Sequence, residues 1–304
     1  MKFIRNKATE SSLKKISRVF GVIIMVIMVI YCISLLIPLV WMIISSLKAQ
    51  DDFILHAYQL PVEWKFSNYA ELFDKFRMRV TKWGVGTVEY GLPDMLFYSL
   101  AYSTCWPLIQ VFFYTLCAYV ISRFEFPGKG FIYAFGIFLM ITPIIGTFPA
   151  SMKVNKALGL YDNFLGRMLI QGSGTFYGFN FILMYGAWKS IPWAYAEAAY
   201  IDGASNFKVY THVMFPLIIP TAAVLFVLSF LSCWTNYVDF LVWFPSYPNL
   251  ALGMYLFQYN ASLYMVGTPI VLAGFTVLAI PTTILYLLSQ KLIMSKFNVG
   301  GLKG

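Results

Sequence analysis

The sequence predicts an all-α polytopic membrane protein with six transmembrane helices. Of its 304 residues, 60% are hydrophobic and only 12% are charged, whereas soluble domains carry about a quarter charged residues. The mean hydropathy is +0.71. Six uncharged stretches reach or exceed the roughly 20 residues that a helix needs to cross a bilayer. They are 19–47, 95–122, 130–152, 168–188, 209–238 and 240–290. These lengths exclude a soluble domain with a large core.

We place the six helices at 19–46, 95–121, 131–152, 170–188, 215–242 and 268–290. The first apolar run is too long for a signal peptide and no small-x-small cleavage site closes it, so we expect a retained span. The stretch 240–290 is too long for one crossing, and the two prolines in 244–249 end the fifth helix. We expect the residues that follow to form a loop that dips into the membrane surface or into the mouth of a transport pathway.

Charge sets the predicted orientation. An even number of crossings puts both termini on one side, together with the segments between spans two and three and between spans four and five. This side holds 13 basic and 4 acidic residues, whereas the other side holds 9 basic and 8 acidic. Positive charge marks the cytoplasmic side, so both termini are expected to be cytoplasmic. The basic segment 1–18 fits an orientation signal that also contacts anionic lipid, and nucleic acid is not expected as a partner.

The sequence offers no cofactor site. All four cysteines fall inside predicted spans and form no CxxC pair, which favours buried free thiols over a metal site: Cys32, Cys105, Cys117 and Cys233. A GxxxxGK[ST] phosphate loop is absent from the sequence, so the chain cannot hold ATP by that means. Energy must therefore come from a partner or from an ion gradient. Because no catalytic set of residues lies within the predicted spans, we expect a transport subunit and not an enzyme.

Polar residues inside spans are the candidates for a substrate pathway, because they are costly in a bilayer. Ser229, Ser232, Asn236 and Asp239 share an arc of about 80° on the fifth helix. They line a pathway or join helices by polar contacts, and the sequence leaves both open. Nearby aromatic residues either stack on a sugar or belong to the membrane-interface belt: Trp234, Tyr237 and Trp243. Weaker candidates in the fourth span are Gln171, Thr175 and Asn180.

A short polar segment interrupts the apolar runs between spans four and five. Its alanines favour a helix, Gly203 can end that helix in a left-handed conformation, and Asp202 and Ser205 can cap a second one. The residues alone are also compatible with an ordinary capped loop. The pattern Glu197-Ala198-Ala199, Asp202-Gly203-Ala204 and Phe215-Pro216 resembles the EAA signature of ABC-importer permeases, with Phe215 where leucine is usual.

Two further motifs resemble the same family. The turn at 121–130, Ile-Ser-Arg-Phe-Glu-Phe-Pro-Gly-Lys-Gly, and the C-terminus at 290–304 are similar to the carbohydrate subfamily, which contains the maltose permeases. The resemblance covers about 92–304 and implies the type I (MetI-like) permease fold. It also implies that the EAA segment is a coupling helix on a cytoplasmic ATPase. The residues carried over are Glu197, Ala198, Ala199, Asp202, Gly203 and Ala204.

The resemblance also implies the organisation and the partners. We expect a cytoplasmic segment 1–18, a first helix 19–46, an external region 47–94, a permease core 95–290 with its coupling loop at 189–214, and a cytoplasmic tail 291–304 that docks on the ATPase. The implied partners are a second permease subunit in a heterodimer, two ABC ATPase subunits that bind ATP and Mg, an external solute-binding protein and membrane lipid. The implied location is a bacterial cytoplasmic membrane and the implied cargo is a saccharide.

The last external loop, 248–266, carries no charge, so it is either sunk among the helices or covered by a partner. Gly253 and Gly267 are candidate hinges. In the maltose permeases the matching loop enters the cleft of the binding protein, which implies contact through Gln258, Tyr259, Asn260, Ala261 and Ser262.

Two other classes of protein compete with this interpretation. A self-sufficient secondary transporter would show inverted repeats and paired intramembrane charges, and neither is evident. An intramembrane enzyme would need a catalytic set within the spans. Both histidines, His56 and His212, fall in predicted loops.

Overall fold

The computed structural model describes residues 7–82, 84–142, 146–173, 178–261 and 265–297. The described chain is mostly helical, with one two-stranded sheet. The elements in chain order are α1 (Lys7–Ser46), α2 (Gln50–Leu55), α3 (Ser67–Lys75), β1 (Arg77–Lys82), β2 (Gly86–Gly91), α4 (Leu92–Arg123), α5 (Lys129–Ile141), α6 (Phe148–Ala157), α7 (Phe164–Ser173), α8 (Phe179–Ser190), α9 (Ala194–Ile201), α10 (Asn206–Lys208), a π-helical segment (Val209–Met214), α11 (Phe215–Trp234), α12 (Val238–Trp243), α13 (Leu250–Tyr259) and α14 (Thr268–Phe297).

The chain divides into two compact units, Met1–Leu72 with Ala261–Thr276 and Phe73–Asn260 with Val277–Gly304. In the second unit α4 is the central helix, because α7, α8, α11 and α13 all contact it. The antiparallel hairpin β1–β2 leads directly into α4, with Arg77 opposite Gly91 and Lys82 opposite Gly86.

Within the described residues, four helices are long and apolar enough to cross a membrane: Arg18–Ser46, Leu92–Arg123, Asn206–Trp234 and Thr268–Lys291. They correspond to predicted spans one, two, five and six. The side chains of 18–40 in α1 are all exposed, so a bilayer or another protein must cover this apolar surface.

The prediction of one continuous third helix over 131–152 is wrong. Helix α5 ends at Ile141, and Thr142 has an extended backbone with φ −77° and ψ 114°. Thr142 precedes Pro143 in the sequence, and a residue before proline is disfavoured in the helical region. Gly146 then has φ 80°, and α6 starts at Phe148.

The predicted fourth helix over 170–188 is also divided. Helix α7 ends at Ser173, and α8 begins after Gly178. Gly178 has φ 137°, a backbone conformation that glycine adopts readily and other residues rarely do. Spans three and four therefore each contain two short helices, and the count of six crossings stays a prediction.

The fifth helix begins earlier and ends earlier than predicted. It runs without interruption from Asn206 through the π-helical segment to Trp234, and α12 starts again at Val238. The last loop was also predicted incorrectly in part, because α13 is a helix. Asn249 begins this helix by accepting a hydrogen bond from the Leu252 N–H at 2.8 Å.

Helix α13 is sunk among its neighbours in the second unit. Six of its ten residues are buried: Leu250, Ala251, Leu252, Gly253, Met254 and Phe257. A Cβ at Gly253 would lie 2.3 Å from the Met95 sulfur and 2.9 Å from the Phe76 ring. Gly253 is therefore needed for close packing against α4, and it is not a hinge.

In the first unit, the end of α1 and the residues that follow form a dense polar network. Lys48 is fully buried and donates its ammonium hydrogen to the His56 carbonyl. Asn68 donates to the carbonyls of Ser46 and Lys48, both at 2.8 Å. A hydrogen bond from a backbone N–H lowers the pKa of Asp52 in this region. This part of the predicted external loop region is therefore ordered structure.

Candidate translocation cavity and coupling segment

The interruption between α11 and α12 is built from Asn236 and Asp239. The side-chain oxygen of Asn236 accepts a hydrogen bond from the Asp239 backbone N–H at 3.1 Å, and its amide donates to Asp239 Oδ2 at 2.8 Å. This reciprocal pair resembles a capping box, which satisfies backbone donors at the start of a helix. Asn249 donates to the Asn236 carbonyl at 3.1 Å, so the start of α13 is attached to the same interruption.

A polar cavity of about 360 Å³ lies beside this interruption, a volume within the range of small-molecule sites. Ser229, Ser232, Asn236 and Asp239 all contribute to its wall. The structure therefore brings the four sequence candidates together, and their role as a substrate pathway stays a prediction. The remaining lining residues are Tyr102, Trp106, Gln110, Tyr114, Asn180, Leu228 and Cys233.

The sequence reasoning missed the contribution of α4. Tyr102, Trp106, Gln110 and Tyr114 recur every four residues, a spacing that places side chains on one face of a helix. This repeat is the signal that could have identified them. From the weaker candidates in span four, Asn180 lines the cavity, whereas Thr175 and the side chain of Gln171 lie outside what the structure describes.

Asp239 is anchored in the cavity wall by α4. Tyr102 donates its hydroxyl hydrogen to Asp239 Oδ2 at 2.8 Å. The Tyr102 ring is 1% exposed and packs against Trp106, with 5.3 Å between ring centroids. The carboxylate therefore accepts two hydrogen bonds on one oxygen, one from Tyr102 of α4 and one from Asn236 in the interruption between α11 and α12.

Arg167 of α7 is a second feature that the sequence reasoning missed, since 153–167 was assigned to a loop. Its side chain is 3% exposed, and its guanidinium carbon lies 3.8 Å from the Trp243 ring centroid. It also donates to Asn155 Oδ1 at 2.7 Å. The guanidinium attracts the Asp239 carboxylate electrostatically. Arg167 thereby joins α6, α7 and α12 near the carboxylate, without lining the cavity.

The three aromatic residues that the sequence left as candidates for sugar stacking or for the membrane-interface belt make other contacts in the structure. Trp234 is buried and donates its indole N–H to the Leu278 carbonyl at 2.9 Å. Tyr237 stacks on Tyr255 with centroids 4.6 Å apart, and Trp243 lies against Arg167. None of the three is among the described residues that line the cavity.

The coupling candidate is a helical projection formed by α9 and α10. Ala196 is fully buried, whereas Glu197, Ala198 and Asp202 are exposed. Gly203 has φ 76°, so it takes the left-handed conformation that the sequence suggested. Ala199 and Ala204 are half-buried and joined by a backbone hydrogen bond of 3.0 Å.

The capping prediction is half confirmed. Ser205 Oγ accepts a hydrogen bond from the Lys208 N–H at the start of α10, at 3.4 Å. Asp202 instead ends α9, where its backbone N–H donates to the Ala198 carbonyl. The reason is that Gly203 reverses the chain after Asp202, which leaves Ser205 as the residue preceding α10.

Hydrogen bonds of Arg123 and Trp188 connect the base of the projection to α4 and α8. Arg123 donates through Nη2 to the carbonyls of Trp188 and Ile191, the residues that end α8 and lead into α9. Its guanidinium carbon also lies 5.5 Å from the Trp193 ring centroid. Trp188 is fully buried and donates to the Thr115 carbonyl at 3.0 Å. Arg123 belongs to the motif at 121–130, but its contact with the coupling segment was not foreseen.

The outer surface of the projection is apolar as well as charged. Ile201 is 86% exposed, Phe207 is 76% exposed and Tyr195 is 52% exposed. Large apolar side chains that project from a rigid helical element are typical of protein interaction sites.

The candidate binding-protein segment begins at the end of α13. Gln258 and Tyr259 are exposed, and Asn260 ends the helix by donating its N–H to the Leu256 carbonyl at 2.9 Å. The carbonyl of Ala261, in the first unit, accepts a hydrogen bond from the Val266 N–H at 2.9 Å. Ser262 lies outside the described residues.

A family model for binding-protein-dependent transport system inner membrane components matches residues 115–298, more than half of the chain. The chain is 29% identical over 280 residues to the probable ABC transporter permease protein YurM of Bacillus subtilis, covering 92% of this chain and 87% of that protein. It is 25% identical over 303 residues to the maltodextrin transport system permease protein MdxG of the same species, covering 98% and 100%.

The fold is also similar to a solved structure. A chain of a bacterial ABC transporter involved in the import of the acidic polysaccharide alginate superposes with a TM-score of 0.72 at 23% identity, covering 90% of this chain and 96% of that chain. The family model and the full-length relatives confirm the resemblance to ABC-importer permeases of the carbohydrate type. The chain belongs to the family of binding-protein-dependent transport system inner membrane components.

Proposed function

We propose that this chain is the membrane permease subunit of an ATP-driven, binding-protein-dependent importer of a sugar or oligosaccharide. The names of its relatives support a saccharide, since they include permeases for maltodextrin and for diacetylchitobiose. The permease sits in a bacterial cytoplasmic membrane with both termini on the inner side. Of its six spans, the third and fourth are each assembled from two short helices.

The observation that carries the proposal is the cavity between α4 and α11. A saccharide presents hydroxyl groups around rings that have weakly apolar faces. The cavity offers amide, hydroxyl and carboxylate groups for the hydroxyls, and the aromatic residues Trp106 and Tyr114 for the ring faces. Sites of this kind combine apolar walls with a few placed polar groups.

Coupling to the ATPase runs through α9 and α10. Because Arg123 and Trp188 fix the base of this projection, a force applied to its exposed surface is transmitted to α4 and α8 and is not absorbed locally. Glu197 pairs with a basic residue of the ATPase, while Ile201 and Phe207 fill an apolar groove. Each ATPase subunit binds ATP and Mg, since this sequence has no phosphate loop.

A second permease subunit completes the membrane part of the importer. The fully exposed side chains of 18–40 in α1 give this partner and the surrounding lipid a continuous apolar surface. The solute-binding protein delivers the saccharide on the external side and contacts 258–262.

The test is reconstitution of the permease pair with its ATPase and binding protein in liposomes, followed by uptake of labelled oligosaccharide. We expect uptake that requires ATP hydrolysis and stops with a non-hydrolysable analogue. Ser232→Trp, which places an indole in the cavity, should abolish uptake. Leu241→Trp, at an exposed position of α12 outside the lining, should leave it unchanged.

The alternative, a self-sufficient secondary transporter, predicts the opposite dependence. Uptake by this chain alone, driven by an ion gradient without the ATPase, would replace the importer proposal. Equal uptake by Ser232→Trp and Leu241→Trp would show that the cavity is not part of the substrate pathway.

A further inference from the structure

The cavity has one formally charged side chain at neutral pH, Asp239. Every other residue that the structure places in its lining is neutral under those conditions, and none is lysine or arginine. Among the described lining residues, Asp239 is therefore the charge that a solute in the cavity can contact directly.

Two hydrogen bonds hold that carboxylate in place. Tyr102 and Asn236 each donate to Oδ2 at 2.8 Å. Because the two donors come from α4 and from the α11–α12 interruption, they fix the position of the charge against the cavity wall.

Arg167 of α7 carries a positive charge that attracts the Asp239 carboxylate electrostatically. Its guanidinium is stacked on Trp243 and donates to Asn155, and its side chain is almost completely buried. Arg167 is not among the described residues that line the cavity, so its guanidinium does not contact a solute there.

We propose that Asp239 makes this cavity select against acidic saccharides, so that the cargo is an uncharged or amino-bearing saccharide. This inference rests on the proposed function. A uronate carboxylate entering the cavity meets a like charge in a partly desolvated space, where repulsion is stronger than in water. A neutral saccharide instead donates its hydroxyl hydrogens to the same carboxylate.

The competing explanation is that Asp239 only starts α12. Replacement with asparagine separates the two roles, because an amide oxygen still accepts hydrogen bonds from Tyr102 and Asn236 while the charge is lost. Asp239→Glu retains the charge. Glu89→Gln is the matched control, since it removes one carboxylate from the hairpin, outside the cavity.

The experiment measures the charge preference of the cavity directly. In a variant without the four native cysteines, Ser232→Cys provides an exposed reporter in the cavity lining. Its rate of modification is measured with a cationic and an anionic methanethiosulfonate of similar size. Both rates are normalised to Tyr58→Cys, a position that is 91% exposed in the first unit.

With Asp239 present, we expect the cationic reagent to react roughly tenfold faster than the anionic one. A unit negative charge about 10 Å from the reacting thiol, in a medium of intermediate dielectric constant, gives a rate ratio of about this size. Asp239→Asn should bring this ratio close to one, whereas Asp239→Glu and Glu89→Gln should keep it. A ratio near one with Asp239 present overturns the proposal, whether or not the variants assemble. Absence of reaction with both reagents also overturns it, because selection requires an aqueous cavity.

A saccharide arm separates this inference from the proposed function. In the reconstituted importer, a neutral glucose trisaccharide should protect Ser232→Cys from modification, and a uronic acid trisaccharide should protect only after Asp239→Asn. Equal protection by both sugars with Asp239 present contradicts the selectivity. If ATP-dependent uptake fails for every saccharide while the tenfold charge preference persists, the proposed function fails and the charge selection stands for another solute.

Discussion

Arg123 provides the most direct test of how the coupling segment is held. Arg123→Ala removes the donor to the carbonyls of Trp188 and Ile191 and leaves the surrounding backbone intact. The Trp188 carbonyl keeps a backbone partner, the Ile191 N–H at 3.2 Å, so most of the loss falls on Ile191. A hydrogen bond to a charged group is worth about 1.5–3 kcal/mol, and a loss of about 2–3 kcal/mol lowers the population of the correctly placed projection roughly 30- to 150-fold.

The assay is co-purification of the permease with its ATPase, together with saccharide-stimulated ATP hydrolysis in liposomes. We expect Arg123→Ala to insert in the membrane but to lose at least tenfold in apparent affinity for the ATPase. Lys129→Ala is the matched control, because Lys129 pairs with the exposed Glu125 at 2.6 Å on the neighbouring turn, and such pairs contribute less than about 1 kcal/mol. If Arg123→Ala retains wild-type affinity and stimulation, the contacts behind the projection do not hold it in place.

Four further predictions follow from the structure and the sequence. Glu197→Lys and Gly203→Val should weaken ATPase binding in pull-down assays. The first reverses a charge, and the second places a β-branched residue at φ 76°, which costs about 1–3 kcal/mol of strain. Wild-type binding by both variants would show that the EAA segment is not the coupling element. Deletion of 297–304 should reduce assembly, measured by co-purification, and full assembly would exclude docking by the tail. A cysteine at Asn260 should crosslink to the binding protein in the ATP-trapped state, and failure to crosslink would leave this segment as a cover for the external side. The Asp52 carboxyl has a lowered pKa, so its ionised form stabilises the loop at neutral pH. Protection of this loop from proteolysis should therefore fall as the pH drops through that pKa, and Asp52→Asn should lack this pH dependence.

The sequence predicted the long helices well and the divided ones poorly. Spans one, two, five and six are long apolar runs, and length with composition is enough to identify them. Spans three and four were also predicted from uncharged runs, but the described chain leaves the helical conformation at Thr142, which precedes Pro143 in the sequence, and at Gly178. A scan for uncharged runs ignores proline and glycine, although the backbone at Thr142 and Gly178 depends on them.

The candidate site was predictable on one helix only. The polar stripe on the fifth helix has a clear spacing, and the structure places its four residues in one cavity. The opposite wall on α4 consists of three aromatic residues and Gln110, and within an apolar helix only their four-residue spacing distinguishes them from core residues. The contacts of Arg123 and Arg167 join residues far apart in the sequence, so local spacing carries no information about them.

The unbroken helix Asn206–Trp234 connects the coupling projection to the cavity wall as a single rod. From Phe207 to Ser232 the rise is about 38 Å at about 1.5 Å per residue, so a tilt of about 10° at the Asn206 end would move Ser232 by roughly 7 Å. The interruption after Trp234 ends this lever beside the cavity. If the projection is the coupling element, a small rotation at its end of the helix becomes a displacement of Ser232 comparable to the width of a sugar ring, while the break before α12 separates Asp239 from that movement.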